Sequence, residues 1–118
     1  TRAVMVQAST DNGGTFDSTA GNYPGYYMTG GTPTNNGVAS LMGGPAVAAA
    51  IATTVSLKLF AYQGGSFPVA EASITGSGNN YVGSVNYIGS TSAINALRIL
   101  WNGSGSFDAG TYALFGVK

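Results

Sequence analysis

The sequence predicts an all-β fold, an antiparallel β-sandwich with little or no helix. Short runs rich in β-branched and aromatic residues are separated by turn clusters at spacings of roughly 8–15 residues, a pattern typical of sandwiches and barrels. Hydrophobic residues make up 44% of the chain and aromatic residues 11%, which argues against disorder. Because the chain has 118 residues, we expect residues 1–118 to form a single domain.

The first predicted strand covers residues 2–8. Val4, Val6 and Ala8 share one face of it, because side chains alternate along a strand. The chain then turns through a polar, glycine-containing stretch. A second, short strand is predicted near 23–29, although a Pro-Gly pair interrupts it.

The segment that follows is the least regular part of the sequence. Residues 30–45 contain glycine pairs, two prolines and an Asn-Asn pair, and we expect them to form irregular structure. The alanine-rich run 46–52 is ambiguous, since alanine has the best helix propensity. A helix so short is marginal, however, and the β-branched residues that follow it favour a strand or a loop.

The centre of the chain shows the clearest strand pattern. Apolar residues occupy every second position of 53–62, which predicts a half-buried strand. A tight turn is predicted at 63–66 and another at 77–80, where Gly, Ser and Asn cluster. Strands are therefore predicted at 67–75 and 81–88.

Two further strand-like runs, 94–101 and 111–118, flank a Gly/Ser-rich connection. Consecutive strands are usually neighbours in a sheet, so we predict that 111–118 forms a central strand beside 94–101. A matching apolar face on the two runs is supplied by Leu97, Ile99, Ala113, Phe115 and Val117.

Composition excludes several functions. The net charge is zero, with four cations and four anions, which is too little positive charge for nucleic-acid binding. The chain has no histidine and no cysteine, and its longest apolar run is too short to insert into a membrane. Glycoside hydrolysis needs two carboxylates that flank the scissile bond. The carboxylates of this chain (Asp11, Asp17, Glu71 and Asp108) are separated, and Glu71 has no obvious partner. We therefore predict no enzymatic activity, no catalytic residue, no metal site and no cofactor.

Residues 9–16 fit the pattern S-x-D-x-G-x-T-[WF], which resembles the Asp-box of sialidases and other β-propellers. In that motif the aspartate caps a hairpin turn and glycine supplies a positive φ, so the role is structural. We interpret the segment as a self-capped β-turn. An alternative is a Ca²⁺ ion held by oxygens of Asp11, Asn12 and Asp17.

A cluster of tyrosines in the second predicted strand is the best candidate binding site. Tyrosine combines a flat apolar ring with a hydroxyl, which suits recognition of sugars or proteins. We predict that Tyr23, Tyr26 and Tyr27 contact a ligand or receptor; the alternative is packing on the sheet or between subunits. Trp101 is predicted to be a core or interface residue.

Two stretches of the sequence resemble a group of bacteriophage virion proteins. Those proteins end in a hairpin similar to I-x-x-[IL]-R-[IL]-x-x-x-x-G-x-F-x-x-G-x-[FY]-x-L-[FY]-G-[VIL]-[KR]. The matching positions here are Ile94, Leu97, Arg98, Ile99, Gly105, Phe107, Gly110, Tyr112, Leu114, Phe115, Gly116 and Val117. The stretch 6–23 is similar to a second run, S-T-D-G-G-x-T-F-D-x-x-x-x-[DN]-Y, found in the same proteins.

The resemblance implies the tip of a tail fibre, tail needle or head fibre, with a jelly-roll-like (TNF-like) β-sandwich that assembles as a homotrimer. We accordingly expect a non-enzymatic phage structural protein, extracellular on the virion, that contacts other virion proteins and attaches to a glycan or protein receptor on the host surface. Low charge favours burial of surface in an oligomer. We also expect the domain to be the C-terminal or a processed part of a longer chain. Two alternatives remain, a capsid or tail decoration module and a carbohydrate-binding module of a larger depolymerase.

Overall fold

The computed structural model describes residues 2–43, 46–47, 52–76, 79–102, 107 and 110–116. It confirms the predicted fold class: two antiparallel sheets form a β-sandwich, and the described helical structure is a single 3-10 turn, Ala20–Asn22. The strands are β1 (Arg2–Ser9), β2 (Gly25–Thr29), β3 (Thr32–Asn35), β4 (Ala46–Val47), β5 (Thr54–Phe60), β6 (Val69–Gly76), β7 (Asn79–Asn86) and β8 (Ala96–Trp101). In the described part of the chain, no helix is long and apolar enough to span a membrane.

The larger sheet has five strands in the order β3-β2-β7-β6-β5. Alternation decides which face of it is inside: Ala70, Ala72 and Ile74 of β6 are buried. Leu57 of β5 pairs with Ala72 and therefore faces the same core. β5 and β6 are joined through residues 61–68, which include the predicted turn 63–66; of the predicted turn 77–80, residues 77–78 lie outside the described residues and β7 begins at Asn79.

The smaller sheet has three strands in the order β4-β1-β8, with β1 in the centre. β1 pairs with β8 over six consecutive residues, from Val4 opposite Trp101 to Ser9 opposite Ala96. Within the described ranges, its other edge pairs with β4 at Arg2 and Ala3.

A loop takes over the remainder of that edge of β1. The Leu41 N–H donates to the carbonyl oxygen of Val6 (2.8 Å), and the Val6 N–H donates to the hydroxyl of Ser40 (3.1 Å). The next outward-facing N–H, that of Ala8, donates to the hydroxyl of Tyr23 (3.1 Å). The described residues therefore give β1 a hydrogen-bonding partner on both edges, as a central strand requires.

The ambiguous parts of the sequence are resolved in part. The segment 30–45, predicted to be irregular, contains the short strand β3, which pairs with β2 in a hairpin. Of the alanine-rich run, Ala46 and Val47 form a strand, in agreement with the favoured interpretation; residues 48–51 lie outside the described residues.

The prediction of a central strand at 111–118 is wrong for its described part. Residues 111–116 belong to no strand, and Tyr112, Leu114 and Phe115 are 90%, 87% and 82% exposed; residues 117–118 lie outside the described residues. The sequence predicts that β8 pairs with this segment, whereas in the structure β8 pairs with β1. The apolar alternation of 111–118 indicates a preference for extended structure. A strand also needs a neighbouring strand with which to form hydrogen bonds.

Candidate functional site

The structure separates the three tyrosines that the sequence grouped together. Tyr23 is fully buried, and its hydroxyl donates to the Asp17 carbonyl oxygen (2.8 Å) while accepting from the Ala8 N–H. Its ring packs against Tyr87, with ring centroids 5.1 Å apart. The prediction that Tyr23 contacts a receptor is therefore wrong, because both its ring and its hydroxyl are used inside the domain.

Tyr26 and Tyr27 lie on β2 and point to opposite faces of the sheet, as consecutive strand residues must. Tyr27 is half-buried and packs edge-on against Tyr81, with ring centroids 6.5 Å apart. It faces the core, so it serves packing, which was the alternative interpretation. Tyr26 is 49% exposed on the outer face, and it is the member of the trio that can meet a ligand.

The outer face around Tyr26 is concave. Strand register places four side chains in one line across the sheet: Tyr26 is opposite Ser84, Ser84 is opposite Glu71, and Glu71 is opposite Lys58. We call these four residues the polar row. With strands about 4.8 Å apart, the row spans about 14 Å.

A second line of side chains runs parallel to the polar row, with Met28 opposite Val82, Val82 opposite Ser73, and Ser73 opposite Ser56. Small serine side chains, Ser84 in the polar row and Ser73 and Ser56 in the second line, lie between or beside larger ones. The two lines border an open depression of about 390 Å³ on the outer face of the sheet. Its lining residues are Tyr26, Met28, Ser56, Lys58, Glu71, Ala72, Ser73, Val82, Gly83 and Ser84.

The loop between β1 and the 3-10 turn is the second candidate. Asp11 accepts hydrogen bonds from the Ser9 hydroxyl (2.7 Å), the Thr15 N–H (2.8 Å) and the Thr15 hydroxyl. Asn12 and Gly13 have positive φ angles of 58° and 83°, the conformation that the motif requires. Hydrogen bonds from Ser9 and Thr15 lower the pKa of Asp11 to about 2. The segment is thus a self-capped turn, as the Asp-box pattern predicts.

Asp17 joins this loop to the core. Its carboxylate accepts from the Thr19 N–H (2.8 Å), the Asn22 side-chain amide (2.7 Å) and the Tyr87 hydroxyl (3.0 Å). Burial alone would raise the pKa of Asp17, and these hydrogen bonds outweigh it, so the pKa lies below its usual value. Burial raises the pKa of Tyr23 to about 12, and burial together with the bond to Asp17 raises that of Tyr87.

These bonds bear on the Ca²⁺ alternative. The carboxylate oxygens of Asp11 and Asp17 already accept hydrogen bonds from their own chain, whereas Ca²⁺ takes six to eight oxygen ligands. Within the described ranges, no three His, Cys, Asp or Glu side chains are grouped to hold a metal ion. The arrangement fits a turn cap better than an ion site.

We expect the Asp11→Ala variant to melt a few degrees below the parent at pH 7, because the turn loses its acceptor for Ser9 and Thr15. The pKa of Asp11 is lowered on folding, so its contribution is present above about pH 4 and is lost as the pH falls through about 2. The melting temperatures of variant and parent should therefore converge between pH 4 and pH 2. Glu71→Ala, an exposed carboxylate outside the turn, is the control; a gap that stays constant with pH would contradict the cap.

Sequence reasoning missed Lys58 and Ser84, and it left Glu71 without a partner. Only the register of four strands brings these residues together, and no local pattern signals it. No family model, curated protein or solved structure matches this chain.

Proposed function

We propose that this chain is a non-enzymatic attachment domain of a bacteriophage virion, the tip of a fibre or needle, and that it binds a host-surface glycan on the outer face of its five-stranded sheet. The observation that carries the proposal is the polar row, an exposed tyrosine followed by Ser84, Glu71 and Lys58 in a shallow depression. The resemblance of the sequence to phage tip proteins supports the setting, on the virion and outside the cell.

The chemistry of the row suits a sugar. The ring of Tyr26 offers an apolar face on which a pyranose can stack, and the serine hydroxyl donates and accepts hydrogen bonds. Glu71 accepts hydrogen bonds and Lys58 donates them, so the row can satisfy several hydroxyls at once. A length of about 14 Å accommodates a short oligosaccharide rather than a single ring.

The row favours binding over catalysis. Glycoside hydrolysis uses two carboxylates that flank the scissile bond, whereas Glu71 has Lys58 and Ser84 as its cross-strand neighbours. The depression is also open to water, and electrostatic catalysis depends on a site from which water is excluded. An open sheet face instead offers a preformed surface that can bind a glycan and release it unchanged.

We further propose that the domain assembles as a homotrimer. With 7% charged residues, a monomer would have little protection against association, and exposed apolar side chains add to the need for partners. The competing function, a decoration module that binds other virion subunits, is favoured by the exposed Val82 and the partly buried Met28 beside the polar row. The two functions differ in what Tyr26 contacts.

The test is binding of the intact protein to host cells and to an array of bacterial surface glycans. Tyr26→Ala should weaken binding about tenfold or more, because loss of one stacking ring costs on the order of 1.4 kcal/mol. Lys58→Ala should weaken it as well, without a change in melting temperature. Tyr62→Ala, an exposed tyrosine outside the row, is the matched control.

Two outcomes would overturn the glycan proposal. One is wild-type protein that binds cells but no glycan, with binding unaffected by Tyr26→Ala. The other is a Tyr26→Ala variant that binds cells normally but no longer associates with virion subunits, which would support the decoration module.

A further inference from the structure

The two sheets of the sandwich differ in width, and this leaves part of the core uncovered. Three strands face five, and the free edge of β8 lies beside the β5 end of the larger sheet. Hydrogen bonds fix that position: the Ile94 N–H donates to the Tyr62 carbonyl (2.8 Å), and the Gly65 N–H donates to the Thr91 carbonyl (2.9 Å).

Exposed apolar side chains lie along this edge of the sandwich. Ile99 pairs with Val6 and Leu97 pairs with Ala8, so each lies on the same face of the small sheet as a buried core residue. Even so, Ile99 is 53% exposed and Leu97 is 38% exposed. On the opposite sheet, Val55 pairs with the buried Ile74 and is also exposed. We call Val55, Leu97 and Ile99 the open strip.

The opposite face of β8 contacts the loop that follows β1. Arg98 points there, donates to the side-chain oxygen of Gln7, and lies over the ring of Phe16, 4.8 Å from its centroid. The β1–β2 loop thus covers one face of the small sheet. Among the described strands β8 is the edge of the smaller sheet, and a further strand could add there.

The segment 111–116 has the properties of such a strand. Its large side chains Tyr112, Leu114 and Phe115 are almost fully exposed. Because Leu114 and Phe115 are consecutive, an extended segment presents an apolar side chain to each face. Among the residues described, no strand pairs with the outer edge of β8, and the chain's own segment is not seated there.

We propose that segment 111–116 of one copy adds as an edge strand to β8 of a neighbouring copy and covers the open strip. Strand addition supplies backbone hydrogen bonds along β8, and alternate side chains fill the apolar opening. A donor segment and an acceptor edge on every copy form a head-to-tail contact, which closes into a ring when the rotation allows. This inference names the contact behind the proposed trimer and rests on that part of the proposed function. The polar row lies on the outer face of the other sheet, so glycan binding is tested separately.

The chain contains no cysteine, which permits a disulfide test in the intact protein. One chain carries Ile99→Cys, and a second, differently tagged chain carries Cys at a single position from 112 to 115. The two are co-expressed and oxidised. Because a disulfide needs Cα atoms about 4.4–6.8 Å apart, we expect one or two of these positions to give a covalent dimer of the two tags. Val82→Cys, exposed on the outer face of the other sheet, replaces Ile99→Cys in the control and should give none.

A double variant, Ile99→Cys with Leu114→Cys, distinguishes exchange from a hairpin within one chain. A disulfide confined to single chains, with none between the tags, would overturn the proposal and place the segment on its own β8. A stable trimer with no disulfide in either format would also overturn it.

A second measurement keeps the test decisive if cysteine variants fold poorly. Leu114→Asp should convert the trimer to monomer in light scattering while each monomer retains glycan binding. An unchanged trimer would contradict strand exchange. Loss of glycan binding with an intact cross-link would contradict the attachment proposal alone.

Discussion

The Tyr23→Ala variant is expected to be largely unfolded in buffer at room temperature. The side chain is fully buried, and its hydroxyl bridges the Ala8 N–H of β1 and the carbonyl of Asp17. Truncating a buried aromatic residue to alanine costs about 3–5 kcal/mol, and the orphaned Ala8 N–H adds about 1–3 kcal/mol. The total is comparable with the free energy of unfolding of a whole domain, about 5–15 kcal/mol. Urea denaturation followed by far-UV circular dichroism measures the loss.

Two variants separate the contributions to this effect. Tyr23→Phe keeps the ring and should cost only the hydrogen bonds, about 1–3 kcal/mol. Tyr26→Ala removes the same kind of side chain from the outer face three residues away and should change the free energy of unfolding little. If Tyr23→Ala melted as cooperatively as Tyr26→Ala and at a similar temperature, Tyr23 would not hold β1 to the core.

The Gly25→Ala variant is the second change for which we expect a large effect. A Cβ atom at Gly25 would lie 2.3 Å from the Ser84 carbonyl oxygen and 2.7 Å from the Val85 Cα. These are backbone atoms of the neighbouring strand, so β2 can accommodate the methyl group only by moving away from β7. Overpacking costs typically about 1–3 kcal/mol, and a clash with backbone places this variant at or above the upper end.

The same change should also weaken glycan binding, since Tyr26 is paired with Ser84 at the point of the clash. Urea denaturation and glycan binding measure the two effects. Gly21→Ala is the matched control, because a Cβ there meets nothing within 4 Å. Equal stability of the two variants would mean that the pairing of β2 with β7 is looser than the structure shows.

Much of the fold could be predicted because its signals are local. The alternation of 53–62 and the turn residues at 63–66 determine β5 and its end without reference to the remainder of the chain. The same holds for β1, β6, β7 and β8, which lie where the sequence places strands. The segment 111–118 shows the limit: its pattern is as strand-like as the others, but alternation does not specify which edge the segment pairs with.

The candidate site could be predicted only in part, for a related reason. That Tyr23 is buried depends on Ala8 and Asp17, which fold back onto it, and Tyr26 is exposed because of its place in the strand alternation. The polar row depends on register across four strands, and register is fixed by pairings between distant parts of the chain. Lys58 and Glu71 carry no sign of their association until the hairpin that joins them is built.

The chain's own residues occupy part of the far edge of β1, and this makes the two edges of the small sheet unequal. Leu41, Ser40 and Tyr23 take the hydrogen-bonding positions there, and among the residues that the structure describes β4 pairs beyond them, at Arg2 and Ala3. A sheet grows by strand addition only at an edge whose backbone N–H and C=O groups are unpaired. In the described part of the small sheet a strand can add at β8, whereas at Val6 and Ala8 of β1 the chain's own groups already make the hydrogen bonds that a second strand would need.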